Sequence, residues 1–111
     1  MGARSRRKGA SFERLIAKRL KEVFPDARRG FQFRTGRETS DITNPVFHIE
    51  CKHQKRCNIK AALEQAARDS KGTGKIPVAI TRDDRKPILV TMLLDDWLEM
   101  VKKLYGEAAR G

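Results

Sequence analysis

Hydrophobic positions along this chain follow two different periods, and their order predicts its secondary structure. Apolar residues at helical spacing predict three helices, at about residues 11–24, 59–70 and 96–105. Runs that alternate or are continuously apolar predict five strands, at about residues 31–34, 40–42, 46–52, 77–81 and 88–92. The predicted order is αβββαββα, which indicates one α/β (α+β) domain with a mixed central sheet flanked by helices.

The first predicted helix carries an acidic residue within its apolar face. Ser11 fits the N-cap position, and the apolar face runs from Phe12 to Phe24. Glu13 falls inside this face, between the directions of Leu20 and Phe24. A carboxylate that faces a core or a cleft is unfavourable without a partner, so Glu13 is a candidate functional residue.

The segment before this helix is basic and has no large apolar residue. Its charged residues are Arg4, Arg6, Arg7 and Lys8. Such a segment cannot add to a core, so we expect residues 1–9 to form a flexible basic arm and residues 10–111 the folded domain. The arm is either a solubilising tail or a phosphate-binding segment, and the charge of the whole chain favours the second interpretation.

The third predicted strand brings an acid and a cation together. Side chains alternate along a strand, so Glu50 and Lys52 lie on one face while Cys51 lies on the other. Asp41 precedes Glu50 by nine positions and is separated from the strand by a turn at Asn44–Pro45. We therefore expect two carboxylates and one ammonium group to lie close together at this point of the sheet.

These residue types suit the hydrolysis of a phosphodiester. One or two carboxylates can hold Mg²⁺, so we expect Asp41 and Glu50 to be metal ligands, together with the backbone carbonyl of Cys51. Lys52 would orient or deprotonate the attacking water, or neutralise the transition state. Glu13 would bind the metal through water or bind a second metal. The alternative is that Glu50 and Lys52 form only an exposed salt bridge.

Composition narrows the partners of this domain. The chain has 111 residues, as expected for one domain, and its formal net charge of +11 attracts polyanions such as DNA. It has no run of about 18 apolar residues and no signal-peptide core, so we expect no membrane partner and a cytoplasmic location. Further basic residues flank the acidic positions and are candidate DNA contacts, namely Arg34, Arg37, Lys55, Arg56 and Lys60.

A zinc site is a weaker interpretation of the same region. His48, Cys51, His53 and Cys57 are residue types that bind zinc, but their spacing does not match a zinc finger. Cys51 also lies on the opposite face of the strand from His48, as a reduced core cysteine would. We expect Mg²⁺, with Mn²⁺ as a substitute, and no small-molecule cofactor.

Several of these positions together resemble a known group of enzymes. The carriers of the resemblance are Gly9-x-x-Phe12-Glu13-Arg14, then Arg34, then Asp41, then Ile49-Glu50-Cys51-Lys52. This set is similar to the motifs of the PD-(D/E)XK nuclease superfamily, and most to those of small archaeal and phage-type Holliday junction resolvases. The resemblance covers about residues 9–92 and implies a restriction-endonuclease-like domain, Mg²⁺ dependence, a homodimer and a prokaryotic or phage origin.

The resemblance also implies roles for individual residues. Asp41, Glu50 and Lys52 match the catalytic core of the superfamily, and Glu13 matches its acid on the first helix. Ser40 lies in the region where such resolvases use a catalytic serine. Gln65 matches a polar residue on the helix that follows the catalytic strand.

The leading hypothesis is a Mg²⁺-dependent, structure-selective DNA endonuclease, most simply a Holliday junction resolvase that cuts branched DNA as a homodimer. The dimer surface would be the last helix, whose apolar arc of roughly 160° is wider than a small core needs. One alternative is another PD-(D/E)XK nuclease, of the flap, nicking or restriction type. A second is a non-catalytic basic nucleic-acid-binding protein, in which Glu13, Asp41 and Glu50 would lie apart or pair with arginines.

Overall fold

The predicted fold class is confirmed by the computed structural model, which describes the backbone of residues 2–30 and 40–110 and the side chains of residues 3–30 and 40–106. Its elements follow the order αβββαββα, with the first strand at residues 28–29, ahead of the predicted strand at 31–34. The helices are α1 (Gly2–Leu20), α2 (Ile59–Asp69) and α3 (Leu94–Arg110). The strands are β1 (Arg28–Arg29), β2 (Ile42–Thr43), β3 (Phe47–Gln54), β4 (Ile76–Asp83) and β5 (Leu89–Met92). The chain is a small α+β domain consistent with a restriction-endonuclease-like fold.

The sheet is mixed, as expected. β4 lies in the middle, parallel to β3 and antiparallel to β5, and α2 forms the crossover between the two parallel strands. β1 and β2 form a separate antiparallel pair beside β3. The Asp41 amide joins this pair to the sheet by donating to the Ile49 carbonyl at 2.8 Å.

The two faces of β3 are covered by different helices. Ile49 and Cys51 pack in a core with Phe12 and Ile16 of α1. The face of Glu50 lies against α2, whose buried residues are small alanines, so the helix approaches the sheet closely. Both faces are therefore buried at the point where the strand carries Glu50.

α1 begins nine residues earlier than expected. Residues 2–9 continue the helix, so the expectation of an N-cap at Ser11 is wrong, and the segment expected to form an arm is helical. The segment is rich in good helix formers, and an ion pair from Lys8 to Asp84 ties it to the end of β4. A segment without core residues can thus be ordered by propensity and by one contact outside the helix.

Other boundaries differ by a few residues. α3 begins at Leu94, before the predicted start at Asp96. The predicted strand at residues 31–34 lies outside the described residues, as do the candidate DNA contacts Arg34 and Arg37. None of the helices in the described part of the chain is long and apolar enough to cross a membrane.

Candidate active site

Asp41 is held in place from three sides. Its backbone carbonyl accepts from the Gly30 amide at 2.8 Å, and its amide donates to Ile49. Its side-chain Oδ2 accepts from the Cys51 amide at 2.8 Å. Since Cys51 directly follows Glu50, this last bond fixes the Asp41 carboxylate beside the strand position of Glu50.

Ser40 acts as a brace between Asp41 and β3. Its hydroxyl donates to the Ile42 carbonyl at 2.6 Å and accepts from the Ile49 amide at 2.7 Å. The hydroxyl is buried and engaged with the backbone on both sides. This geometry favours a positioning role for Ser40 over the catalytic role that the resemblance implied.

The close approach of Gly30 makes this arrangement possible. A Cβ atom on Gly30 would lie 2.2 Å from the Ser40 carbonyl oxygen, a distance that requires the backbone to shift. Glycine therefore allows β1 to lie directly against the segment that carries Ser40 and Asp41.

Glu50 and Lys52 meet as the alternation of β3 predicts. The Lys52 ammonium lies 3.5 Å from Glu50 Oε1. Glu50 is buried, with 5% of its surface exposed, whereas 37% of the Lys52 side chain is exposed. The pair therefore places a buried carboxylate behind a cation that can reach solvent or a bound phosphate, which is not the fully exposed surface pair of the alternative interpretation.

Burial and a neighbouring charge make Glu50 an unusual acid. Burial and then the charge of Asp41 raise the pKa of Glu50 from 4.5 to about 7, although Lys52 opposes the shift. Asp69 on α2 adds a smaller contribution in the same direction. The carboxylates of Asp41 and Glu50 thus lie close enough to interact.

Glu13 behaves differently from the other two acids. Its Oε1 accepts from Arg29 Nε at 2.9 Å, and 14% of its side chain is exposed. Burial first, and then the charges of Asp41, Glu13 and Glu50, raise the pKa of the Cys51 thiol, so all three acids lie near enough to act on this segment of β3. Glu13 is near the site but is paired with an arginine, as the non-catalytic alternative expected for each acid.

The donor set suits a divalent cation held by few protein ligands. No group of three or more His, Cys, Asp or Glu side chains within residues 3–30 and 40–106 is arranged to hold a metal ion. Mg²⁺, however, needs only one or two carboxylates, since water supplies its other ligands. The neighbouring carboxylates of Asp41 and Glu50 fit this requirement, and the backbone of Cys51 lies beside them.

The cysteines take no part in a zinc site within the described residues. Cys51 is buried in the core, and burial raises the pKa of its thiol, which disfavours a thiolate ligand. The Cys57 thiol donates to the carbonyls of Lys52 and Arg82, at 3.5 and 3.3 Å.

Two residues near the site were missed by sequence reasoning. Asp69 lies seven positions after Ala62 and three after Ala66, so helical periodicity would have placed it on the sheet-facing side of α2. Arg29 gave no such signal, because its contact with Glu13 depends on the packing of β1 against α1. Gln65 is half-buried on α2, next to Ala66.

The candidate DNA contacts divide into two groups. Arg4, Arg6 and Arg7 are exposed along the first turns of α1. Lys55, Arg56 and Lys60 are exposed around the loop between β3 and α2, close to the carboxyl end of the catalytic strand.

Comparison with protein families tests whether the chain belongs to the superfamily that its motifs resemble. The family model described as "Phage putative PDDEXK endonuclease" matches residues 4–110. The chain belongs to this PD-(D/E)XK family. No curated protein and no solved structure matches it significantly.

Membership in this family indicates the class of reaction that the site can carry out. This PD-(D/E)XK chain is of the nuclease class, for which DNA is the implied substrate. Enzymes of the class typically use a divalent metal. The carboxylates of Asp41 and Glu50 are ligands of the kind that such a metal needs.

Proposed function

We propose that this protein is a Mg²⁺-dependent endonuclease of branched DNA, with Asp41, Glu50 and Lys52 as its catalytic residues. The observation that carries the proposal is the meeting of two carboxylates and one ammonium group at the middle of β3. Asp41 and Glu50 would hold the cation. When bound, Mg²⁺ supplies positive charge to the phosphoryl oxygens and lowers the pKa of a water.

The residues of the chain divide the remaining work. Lys52 is tethered to Glu50 but partly exposed, so its ammonium group can contact the scissile phosphate or the attacking water. The hydrogen bonds to Cys51, Ile49 and Gly30 hold Asp41 without rearrangement during the reaction. Ser40 fixes the spacing between Asp41 and β3, and Arg29 keeps Glu13 turned towards β1.

A cleavage assay tests the metal and the site together. We expect a labelled four-way junction to be cut with Mg²⁺ or Mn²⁺ and to be bound without turnover in Ca²⁺. Asp41→Asn should lower the rate by at least about 10²-fold, the scale of losing one essential electrostatic group. Asp26→Asn changes an exposed acid and serves as the control. Full activity in excess chelator would exclude the metal mechanism.

The preference for branched DNA is supported by the exposed surface of α3. Large apolar side chains face solvent along it, including Leu94, Leu98, Leu104 and Tyr105. Apolar patches of this kind usually mark an interface. A second copy of the chain is the fitting occupant, because a two-fold dimer presents two active sites with the symmetry of a four-way junction.

The same assay separates this substrate from its alternatives. We expect paired nicks in a four-way junction and much slower cutting of a linear duplex that has the same arm sequences. Light scattering should give a dimer mass, at least on the junction. A monomer that cuts flaps or nicked duplex better than junctions would support the flap or nicking nuclease instead. DNA binding without cleavage in any metal would support the non-catalytic alternative.

A further inference from the structure

Two loops at the carboxyl ends of β3 and β4 form a single basic surface. The first loop carries Lys55 and Arg56, the second carries Arg85 and Lys86, and Arg82 lies on β4 one residue before its end. We name these five residues the strand-end cluster. The parallel pairing of β3 with β4 brings the two loops side by side, since Gln54 lies opposite Asp83.

Hydrogen bonds fix the loops to each other. The Cys57 amide donates to Asp83 Oδ1 at 2.7 Å, and the Asp84 amide donates to the Gln54 carbonyl at 3.0 Å. At the end of β4, Arg82 Nε donates to the carbonyl of Lys86 in the second loop at 3.1 Å. The cationic side chains therefore project from a surface that is already in place before a ligand arrives.

The acidic residues among these cations are engaged with groups of the protein. Asp83 accepts from the backbone of Cys57. Asp84 pairs with Lys8 of α1 and lies 3.2 Å from His53 Nε2. The strand-end cluster consequently keeps a strong excess of positive charge. Two adjoining shallow pockets lie on it and share Asp84 and Arg85 in their linings.

The distance between the cluster and the candidate active site indicates which phosphates of a bound DNA the cluster can contact. A strand rises about 3.3 Å per residue, so Gln54, the last residue of β3, lies roughly 13 Å beyond Glu50. DNA carries one phosphate per strand for about each 3.4 Å of its axis, so this offset corresponds to roughly four nucleotides. Lys52 lies between the two regions on the same strand.

We propose that the strand-end cluster binds the phosphate backbone of the DNA substrate a few nucleotides from the scissile bond. This inference rests on the proposed nuclease function and adds a location for the flanking phosphates. It assigns roles to Arg82, Arg85 and Lys86, which sequence reasoning did not select. The contacts are to backbone phosphates, so they position the substrate without reading its sequence.

A salt titration of DNA binding tests the cluster without requiring catalysis. The variant is Lys55→Gln/Arg56→Gln/Arg85→Asn, in which asparagine is chosen because residue 85 has φ of 61°. The control is Lys18→Gln/Lys21→Gln/Lys71→Gln, which removes the same charge from exposed positions near the other ends of α1 and α2. Binding of a labelled linear duplex is measured in chelator at several salt concentrations.

We expect the slope of log affinity against log salt to become shallower by about 2 to 3 in the cluster variant, because each lost phosphate contact lowers it by about 0.9. The control should change it by less than about 1. Equal slopes in the two variants would overturn the proposal. If the triple variant does not fold, Lys55→Gln/Arg56→Gln replaces it, with an expected change of about 2.

Cleavage kinetics keep the two proposals distinguishable. With metal, the cluster variant should show a raised KM and an unchanged kcat, as expected for lost substrate binding. If the wild type cleaves DNA and the cluster variant has an unchanged salt slope, the proposed phosphate contacts of the cluster are wrong and the nuclease function stands. If the cluster variant has a shallower salt slope but the wild type cuts no DNA, the cluster binds DNA and the proposed nuclease function is wrong.

Discussion

The site at β3 and the helix α3 differ in how the rest of the chain holds them. Asp41 is bound through its amide, its carbonyl and its carboxylate, and the braces of Ser40 and Gly30 lie directly behind it. α3 follows β5, the edge strand of the three-stranded sheet. None of its described side chains, residues 94–106, belongs to the buried core.

This contrast indicates a division of labour within a small domain. The contacts that hold the candidate site all lie within one chain. The apolar surface that α3 leaves open is available for assembly. Substitutions at the β3 site should therefore alter cleavage and folding stability. Substitutions on α3 should alter the oligomer mass measured in solution.

The largest effect is expected from the catalytic strand itself. Glu50→Gln and Lys52→Ala should each lower the cleavage rate by at least about 10²-fold, because the first removes a proposed metal ligand and the second the cation proposed to contact the phosphate or the water. DNA affinity measured in Ca²⁺ should not fall comparably. Glu64→Gln on the exposed side of α2 is the matched control. A Glu50→Gln protein that cuts at the wild-type rate would contradict the site assignment.

A glycine substitution tests whether the site depends on close backbone packing. Gly30→Ala should destabilise the protein by roughly 1–3 kcal/mol, as overpacking does, and should reduce cleavage by displacing Ser40 and Asp41. Gly9→Ala is the control, because its Cβ would contact nothing and alanine favours the helix. Denaturant unfolding measures both. If Gly30→Ala is as stable as the wild type or more stable, the contact between residue 30 and the Ser40 carbonyl does not exclude a Cβ atom.

The pH dependence of stability tests the burial of Glu50. Its pKa rises from 4.5 to about 7 on folding, so the folded state binds more protons than the unfolded state between these values. The metal-free protein should therefore lose stability as the pH rises through this window. Glu50→Gln cannot ionise, so it should gain stability relative to the wild type above about pH 7 and show little difference below 4.5.

Thermal unfolding in chelator across this range measures the difference between the two proteins. Glu64→Gln, which changes an exposed carboxylate, should differ from the wild type by an amount that does not vary with pH. A constant difference for Glu50→Gln as well would contradict the raised pKa.

The smallest effect on folding is expected at α3. Leu104 is 70% exposed, so Leu104→Ser should change the stability of a monomer by no more than about 0.5 kcal/mol. If a second copy covers this helix, the same change should lower the dimer fraction seen by light scattering. Lys103→Ser, at the neighbouring exposed position, should not. An unaltered dimer would place the interface elsewhere.

The catalytic strand could be predicted because its signals are local. The alternation of Ile49 and Cys51 with Glu50 and Lys52 fixes which side chains share a face, and the structure agrees. The turn at Asn44 likewise returns the chain to β3, with its side chain accepting from the Val46 and Phe47 amides. Period-two patterning is sufficient where both faces of a strand have distinct neighbours.

Features that depend on distant segments could not be predicted in the same way. The pairing of Glu13 with Arg29 requires the packing of β1 against α1, and the strand-end cluster requires the register of β3 against β4. The helical start at Gly2 cannot be read from apolar periodicity, because residues 2–9 have no core residues. An ion pair from Lys8 to Asp84 supplies the missing anchor.

The exposed face of α3 has a consequence for when copies of this protein would associate. A chain with net charge +11 repels its own copies, and this repulsion opposes contact between two apolar helices. DNA phosphates neutralise much of that charge, so DNA binding and self-association should promote each other, as reciprocal linkage requires. A free monomer that pairs only on its substrate would confine double-strand cutting to sites where two copies can meet.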